Sequence, residues 1–221
     1  KVTVVLDPRM AATFLGLVGS TLSGAAVLKG RSLFADRVGE DVAAPGVTLV
    51  EDPTTPDAWG ATRYDSEGIA TRAVPLIQGG VLQGYLYDTY SGRRAGTAST
   101  GSGMRASFKD TPSVGLRALR IEPGAQTPDE IIASIDDGLL VQSFSGLHSG
   151  VNPVSGDFSV GATGLRIRNG QVAEPVREIT IGSTIQRMLL GISAVGNDLE
   201  WLAGNTAHVT LAMTDISMGG V

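Results

Sequence analysis

The chain lacks cysteine, has few aromatic residues and carries little charge for its length of 221 residues. The absence of cysteine excludes disulfides, thiolate catalysis and cysteine-ligated zinc, and it fits a reducing compartment. Charged residues make up only 18% of the chain, and 17 Lys and Arg against 22 Asp and Glu leave a formal net charge of −5. No broad basic surface is therefore available to neutralise phosphates, and direct binding to nucleic acid is not expected.

Small and aliphatic residues make up a large share of the sequence, whereas aromatic and charged residues are few. Hydrophobic residues account for 42% of the sequence, aromatic residues for 5%, and 30 residues are glycine. This composition predicts a folded chain with a substantial core and many turns, not a disordered one. It does not reveal a function.

The first residues predict a strand that leads into a helix. Val2 to Leu6 is a β-branched apolar run, and Asp7-Pro8 has the chemistry of a helix N-cap followed by proline at the first helical position. The chain begins inside this strand without an initiator methionine, so we expect it to be part of a longer polypeptide.

An uncharged run from Met10 to Leu28 raises the alternative of a membrane-spanning helix. Its hydroxyl groups, its glycines and the capped strand before it favour a buried helix of a water-soluble domain instead, and no membrane association is expected. Gly16, Ser20 and Gly24 recur at one-turn spacing, which predicts a helix face packed closely against another backbone.

The middle of the chain predicts a hairpin followed by a loose loop. Two apolar runs, 70–77 and 81–87, flank Gln78-Gly79-Gly80, which is a typical hairpin connection. Residues 92–103 are almost wholly Gly, Ser, Thr, Ala and Arg, and we expect a loop that is mobile or ordered by a partner.

The second half predicts one short helix, a long hairpin and a final helix and strand. Thr127-Pro128-Asp129-Glu130 forms a capping box, and we expect its helix to end near Gly138. Asn169-Gly170 joins the alternating runs 157–168 and 171–176, which indicates a hairpin. With a helix over 185–192 and a strand over 208–213, the predicted class is α+β, mainly antiparallel sheets with hairpins and three or four helices.

No complete catalytic motif is present. Gly101 to Ala106 matches G-x-G-x-x-A in letters, but no strand precedes it and no helix follows it, so a dinucleotide site is not expected. The chain has no G-x-S-x-G elbow, and its two histidines, His148 and His208, are sixty positions apart. His148 lies in a polar, flexible loop, where it is a binding residue, a metal ligand or a structural hydrogen-bonding residue. His208 lies in an apolar strand pattern, which is typical of a sheet residue with satisfied hydrogen bonds.

Several segments, in order along nearly the whole chain, resemble the C-terminal domain of the TldD/PmbA family. The most specific is Ser149-Gly150-Val151-Asn152-Pro153-Val154-Ser155-Gly156-Asp157-Phe158-Ser159. The others are Gly30 to Glu40, Asp65 to Arg72, Ile167 to Gln171, Pro175 to Arg177 and Ala194 to Leu199. The resemblance implies that residues 1–221 form this domain and that the family's N-terminal domain is absent from the chain.

The family's active subunit carries a helical H-E-x-x-x-H and a later cysteine as zinc ligands, and this chain departs from that pattern. Leu15 and Ser20 stand where the histidines would be, and Gly16 replaces the glutamate base. None of these side chains can bind zinc or activate water. The resemblance is thus to the PmbA or TldE type, without catalytic residues, metal or cofactor of its own.

Two functions follow from the resemblance. The chain is either the non-metal subunit of a cytoplasmic two-subunit metalloprotease acting on unfolded peptides, or a stand-alone homodimeric binding module of the gyrase-modulator type. The partner in the first case is a zinc-bearing TldD-type subunit. His148, Asn152 and Asp157, in a glycine-rich loop, are the expected contacts with a peptide or a partner.

Overall fold

The computed structural model describes residues 1–220 and contains a closed β-ring, a smaller sheet and six short helices in that part of the chain. The helices are α1 Pro8–Thr21, α2 Gly24–Leu28, α3 Thr89–Arg94, α4 Pro128–Ala133, α5 Leu147–Gly150 and α6 Ile185–Leu190. The strands are β1 Val2–Leu6, β2 Leu49–Glu51, β3 Val74–Gln78, β4 Val81–Leu82, β5 Gly103–Met104, β6 Ser113–Val114, β7 Leu119–Ile121, β8 Asp137–Ser145, β9 Asp157–Arg168, β10 Gln171–Thr184, β11 Ile192–Val195 and β12 Leu211–Gly219. The predicted α+β class with mainly antiparallel sheets is confirmed, with more helices than expected.

Five strands close into a ring in the order β1, β8, β9, β10 and β12, because β12 pairs with both β10 and β1. All neighbours in the ring are antiparallel except β1 and β8. β11 pairs with β12 outside the ring. The hairpin predicted at Asn169-Gly170 joins β9 to β10, with Gln171 opposite Arg168.

The smaller sheet has the order β4, β3, β2 and β7, and β5 pairs separately with β6. Its hairpin at Gln78-Gly79-Gly80 is the predicted one, with shorter strands than expected. Backbone bonds tie β7 to the segment before β12, since Leu119 accepts from Ala207 at 2.8 Å. This contact connects the smaller sheet to the ring.

The uncharged run near the N-terminus forms two helices instead of one. Asp7 caps α1 by accepting from the Met10 N–H at 2.8 Å, as predicted. The run breaks after Thr21 and resumes as α2. Among residues 1–220, no helix combines the length and apolar character that a membrane crossing needs.

Aromatic packing fixes α1 against the ring. The Phe14 ring meets the Phe158 ring edge to face, with centroids 6.3 Å apart, and Phe144 contacts Phe158 in the same way. Leu15 and Val18 of α1 belong to the same buried cluster. One side of α1 is thus buried in the core, whereas its other side includes the exposed residues Arg9 and Ser20.

The loop expected over residues 92–103 forms side-chain and backbone hydrogen bonds with the segment at Tyr87. It begins inside α3, whose capping box is formed by Asp88 and Ser91. Beyond the helix, Thr100 donates its N–H to the Tyr87 carbonyl at 3.0 Å. Side chains of Ser and Thr thus supply hydrogen bonds in place of apolar packing in this segment, and its mobility or ordering by a partner stays a prediction. The capping box at Thr127 and Glu130 is confirmed, although α4 ends at Ala133.

Candidate functional site

The three positions expected from the sequence to correspond to the family's zinc motif lie on α1. Leu15 is fully buried in the core cluster. Gly16 has no side chain, and Ser20 is exposed with its hydroxyl donating to the Leu17 carbonyl at 2.7 Å. Within residues 1–220, no three His, Cys, Asp or Glu side chains are grouped to hold a metal. Leu15, Gly16 and Ser20 do not fit a zinc ion.

Two separate cavities lie beside the two ends of α1 and share only Asn205 in their linings; we call them together the α1 cleft. The first cavity, of about 500 Å³, lies beside the start of the helix, where Arg9 and Thr13 line it together with residues 202–206 and His208. The second, of about 310 Å³, lies beside its end, where Ser20 and Leu116 line it.

The predicted close packing of the small-residue face of α1 is wrong. A Cβ placed on Gly16 would meet only the Thr206 hydroxyl, at 3.6 Å, and Ser20 is exposed. Gly24 lies in α2, where the Tyr87 ring, not a backbone, occupies the space at its Cα. Gly24 thus belongs to a separate helix, and of the three small residues only Ser20 lines a cavity.

The wall of the cleft opposite α1 is held by backbone hydrogen bonds. The Asn205 carbonyl accepts from the Leu119 N–H at 2.9 Å, and the next bond runs from the Ala207 N–H back to Leu119. The Asn205 side chain itself is exposed. The backbone of residues 205–207 is therefore fixed against β7, while the side-chain amide of Asn205 faces solvent.

The side chain of His208 lacks a hydrogen bond that its strand pattern predicts. It precedes β12 and exchanges two backbone bonds of 2.9 Å with Glu200. Its buried Nδ1 atom has no hydrogen-bond partner within residues 1–220. Burial lowers the pKa of His208, which favours the neutral imidazole in the wall of the first cavity.

A buried carboxylate supports the wall of the second cavity. Glu51 on β2 is 1% exposed, and its Oε1 accepts from the backbone N–H groups of Arg117 and Ala118 at 2.7 and 3.1 Å. Burial raises the pKa of Glu51 to about 7, against the lowering effect of these bonds. Leu116, directly before this contact, packs against α1 at Gly19. Glu51 thus fixes the segment between β6 and β7 that forms this wall.

The loop predicted to contact a peptide or partner is a compact turn. Asn152 accepts from the N–H groups of Val154 and Ser155 at 2.9 and 3.3 Å, so its side-chain oxygen closes the turn. Its N–H donates to the Asp157 carbonyl at 2.9 Å, and the Asp157 carboxylate accepts from the Ser155 hydroxyl at 2.6 Å. His148 is exposed on α5.

The structure brings Asn152 and Asp157 together, but none of the three loop residues lines the α1 cleft. Sequence reasoning missed the cleft residues Thr13 and Asn205 and the buried Glu51. Gly204-Asn205 is a turn signal in the sequence, and it could have marked an exposed segment. No sequence signal places that segment beside α1.

Comparison with known proteins gives matches over nearly the whole chain. A family model described as the PmbA/TldA metallopeptidase C-terminal domain matches residues 1–220. The metalloprotease PmbA homolog of Haemophilus influenzae is 32% identical over 203 residues, which cover 90% of this chain and 42% of that protein. The metalloprotease TldD homolog of the same organism is 30% identical over 217 residues, covering 92% of this chain and 45% of that protein. The chain thus spans less than half the length of these relatives.

Solved structures share the fold as well. TldE from Thermococcus kodakarensis superposes with a TM-score of 0.90 at 27% identity, covering 99% of this chain and 50% of that one. A candidate modulator of DNA gyrase from Thermotoga maritima gives 0.89 at 26% identity, covering 99% and 49%. Both similarities extend over the ring and the smaller sheet.

Proposed function

The chain belongs to the PmbA/TldD metallopeptidase family, and we propose that it is the non-metal, PmbA- or TldE-like subunit of a cytoplasmic two-subunit metalloprotease acting on unfolded peptides. In this role it contributes assembly and peptide binding, while a zinc-bearing TldD-type subunit supplies the chemistry.

The observation that carries this proposal is the state of the three motif positions on α1. Zinc binding needs nitrogen, sulfur or carboxylate donors, and a hydrolytic zinc site needs a base for the attacking water. Leu15 offers only buried carbon atoms, Gly16 offers no side chain, and the Ser20 hydroxyl is bonded to its own helix. The similarity to TldE from Thermococcus kodakarensis supports the same assignment.

The loop that holds His148, Asn152 and Asp157 is the proposed contact with a peptide or with the partner subunit. Its turn is closed by side-chain hydrogen bonds, so its shape is fixed before binding. His148 is exposed on α5 and free of that internal network. A rigid turn with one exposed imidazole suits recognition by another chain.

A second function, a stand-alone homodimeric module without peptidase activity, is favoured by the likeness to the candidate gyrase modulator of Thermotoga maritima. The net charge of −5 argues that such a module would contact proteins and not DNA directly. The two functions differ in the partner that they require.

Metal analysis and co-purification test the proposal together. We expect purified chain to hold far less than one zinc per molecule, and we expect a TldD-type subunit from the same organism to co-purify with it in a fixed ratio. About one zinc per chain would overturn the non-metal role. A homodimer by light scattering that ignores the TldD-type subunit would favour the second function.

A further inference from the structure

Cations without acidic partners collect on one part of this acidic chain, where α2, α3 and the loop between β5 and β6 meet. Residues 8–35 and 89–109 contain no Asp or Glu. α2 packs against both α3 and β6, which brings parts of these two stretches together. Within residues 1–220, Lys29, Arg94 and Lys109 form no ion pair with a carboxylate. A chain with a net charge of −5 thus carries a local positive surface.

Large apolar side chains are exposed among the same cations. Leu28 is 38% exposed, Tyr90 is 66% exposed and Phe108 is 85% exposed. The guanidinium carbon of Arg94 lies 5.9 Å from the centre of the Tyr90 ring, and the Lys109 ammonium lies 5.4 Å from that of the Phe108 ring. Tyr and Arg are among the residue types enriched at the energetic centres of protein interfaces. We call this surface the α2–α3 patch and define it by Leu28, Lys29, Tyr90, Arg94, Phe108 and Lys109.

A small cavity of about 150 Å³ lies within the patch. Apolar and cationic side chains share its lining, which includes Leu28, Lys29, Tyr90, Arg94 and Pro112. A cavity of this size admits one side chain as large as leucine or phenylalanine. The patch therefore has the arrangement of an interface anchor site, with an apolar cavity beside exposed charges.

The nearby carboxylates are used within the fold and do not neutralise these cations. Asp88, the one Asp or Glu that lines the cavity in the part of the chain described, is buried and caps α3 by accepting from the Ser91 N–H at 2.7 Å. In the loop, the Asp110 carboxylate accepts from the Ser107 hydroxyl at 2.7 Å. Carboxylates of another molecule would therefore meet cations that have no competing acid.

We propose that the α2–α3 patch binds an acidic segment of a partner protein, whose carboxylates pair with Lys29, Arg94 and Lys109 while one apolar side chain fills the cavity. Charge complementarity selects an acidic partner, and the cavity favours a protein side chain over a bilayer surface or the phosphates of a nucleic acid. The residues of the patch line neither cavity of the α1 cleft. The inference goes beyond the proposed function, because recognition here depends on the charge and side chains of the partner.

Fluorescence anisotropy with an acidic probe tests this binding. The probe is a fluorescein-labelled octapeptide of Asp and Glu with one central Leu. We expect the double variant Lys29→Glu, Arg94→Glu to raise its Kd at least about tenfold, because two attractive contacts become repulsive. Arg177→Glu, Arg187→Glu is the matched control, since both residues are exposed outside the patch and the net charge changes equally. We expect the control to raise the Kd less than about threefold.

A second probe tests the cavity. Replacing the central Leu of the peptide with Ser keeps its charge and removes the apolar side chain, so we expect the Kd to rise at least about fivefold. Lys29 and Arg94 are exposed, so the melting temperature of their double variant should stay close to that of wild type. This measurement distinguishes lost binding from lost folding.

Each other outcome overturns the inference. These outcomes are no measurable binding of the acidic probe, equal losses in the two double variants, and equal affinity for the Leu and Ser probes. Tighter binding to phosphatidylcholine–phosphatidylserine vesicles or to single-stranded oligothymidine than to the peptide would assign the patch to a membrane or a nucleic acid. Self-association that Lys29→Glu, Arg94→Glu abolishes would identify a second copy of the chain as the occupant. Co-purification with a TldD-type subunit still decides the proposed function in every case.

Discussion

The side-chain Oε1 of Glu51 accepts a hydrogen bond from the backbone N–H of Arg117 at 2.7 Å, across 66 positions of the sequence. The other carboxylate oxygen of Glu51 is buried and has no hydrogen-bond partner within residues 1–220. Oε1 therefore stabilises the fold through its hydrogen bonds. The other oxygen is desolvated without a compensating hydrogen bond, which raises the free energy of the charged carboxylate. Glu51 is consequently a pH-sensitive support for the wall of the α1 cleft.

The first prediction concerns the pH dependence of stability. Burial raises the pKa of Glu51 from 4.5 to about 7 in the folded chain, so the folded state binds the proton more tightly than the unfolded state. The free energy of unfolding should fall as pH rises from about 4.5 to 7, by up to about 3 kcal/mol. Glu51→Gln keeps an oxygen for the two backbone donors and should flatten this slope.

Urea unfolding of wild type and Glu51→Gln at several pH values measures the effect. Asp57→Asn is the matched control, because Asp57 is an exposed carboxylate, and its slope should remain that of wild type. A Glu51→Gln slope as steep as wild type between pH 4.5 and 7 would refute the assignment.

The second prediction compares two glycines of the uncharged run. Gly16→Ala adds a methyl group in ordinary contact with Thr206, 3.6 Å away, inside a helix, and it should stabilise by about 0.5–1 kcal/mol. Gly24→Ala would place its methyl group in steric overlap with the Tyr87 ring, and it should destabilise by about 1–3 kcal/mol. The melting temperatures of the two variants measure these effects. Equal shifts of the same sign would contradict the difference in the space beside the two glycines.

The third prediction separates the core side of α1 from its cleft side. Leu15 is fully buried, so Leu15→Ala should cost about 2–5 kcal/mol in the free energy of unfolding. Ser20 is exposed, and Ser20→Ala should change it by less than about 0.5 kcal/mol. Denaturant titration measures both, and a large cost at Ser20 would show that the cleft side is packed.

The fourth prediction concerns the loop in a reconstituted pair with a TldD-type subunit. We expect the double variant His148→Ala, Asn152→Ala to keep its fold while peptide hydrolysis falls, because the contact with the peptide or the partner is lost. His148→Ala alone leaves the Asn152 turn intact and distinguishes the imidazole contact from the shape of the turn. Unchanged assembly and turnover in both variants would leave the loop as a structural turn only.

The sequence by itself determined the elements whose signals are local. Asp7-Pro8 started α1, the capping box at Thr127 started α4, and Asn169-Gly170 joined the long hairpin, since each depends on the chemistry of a few adjacent residues. That Leu15, Gly16 and Ser20 stand at degenerate zinc-motif positions stays a prediction from the sequence.

Only the tertiary structure decided which surfaces these elements leave open. Ser20 of α1 borders the second cavity because α1 breaks at Leu22 and because Asn205 is held opposite by Leu119, a contact across 86 positions. The raised pKa of Glu51 likewise results from burial between distant strands. Sequence patterns report which face of an element is apolar, whereas burial, cavities and shifted pKa values depend on what the rest of the chain places beside it.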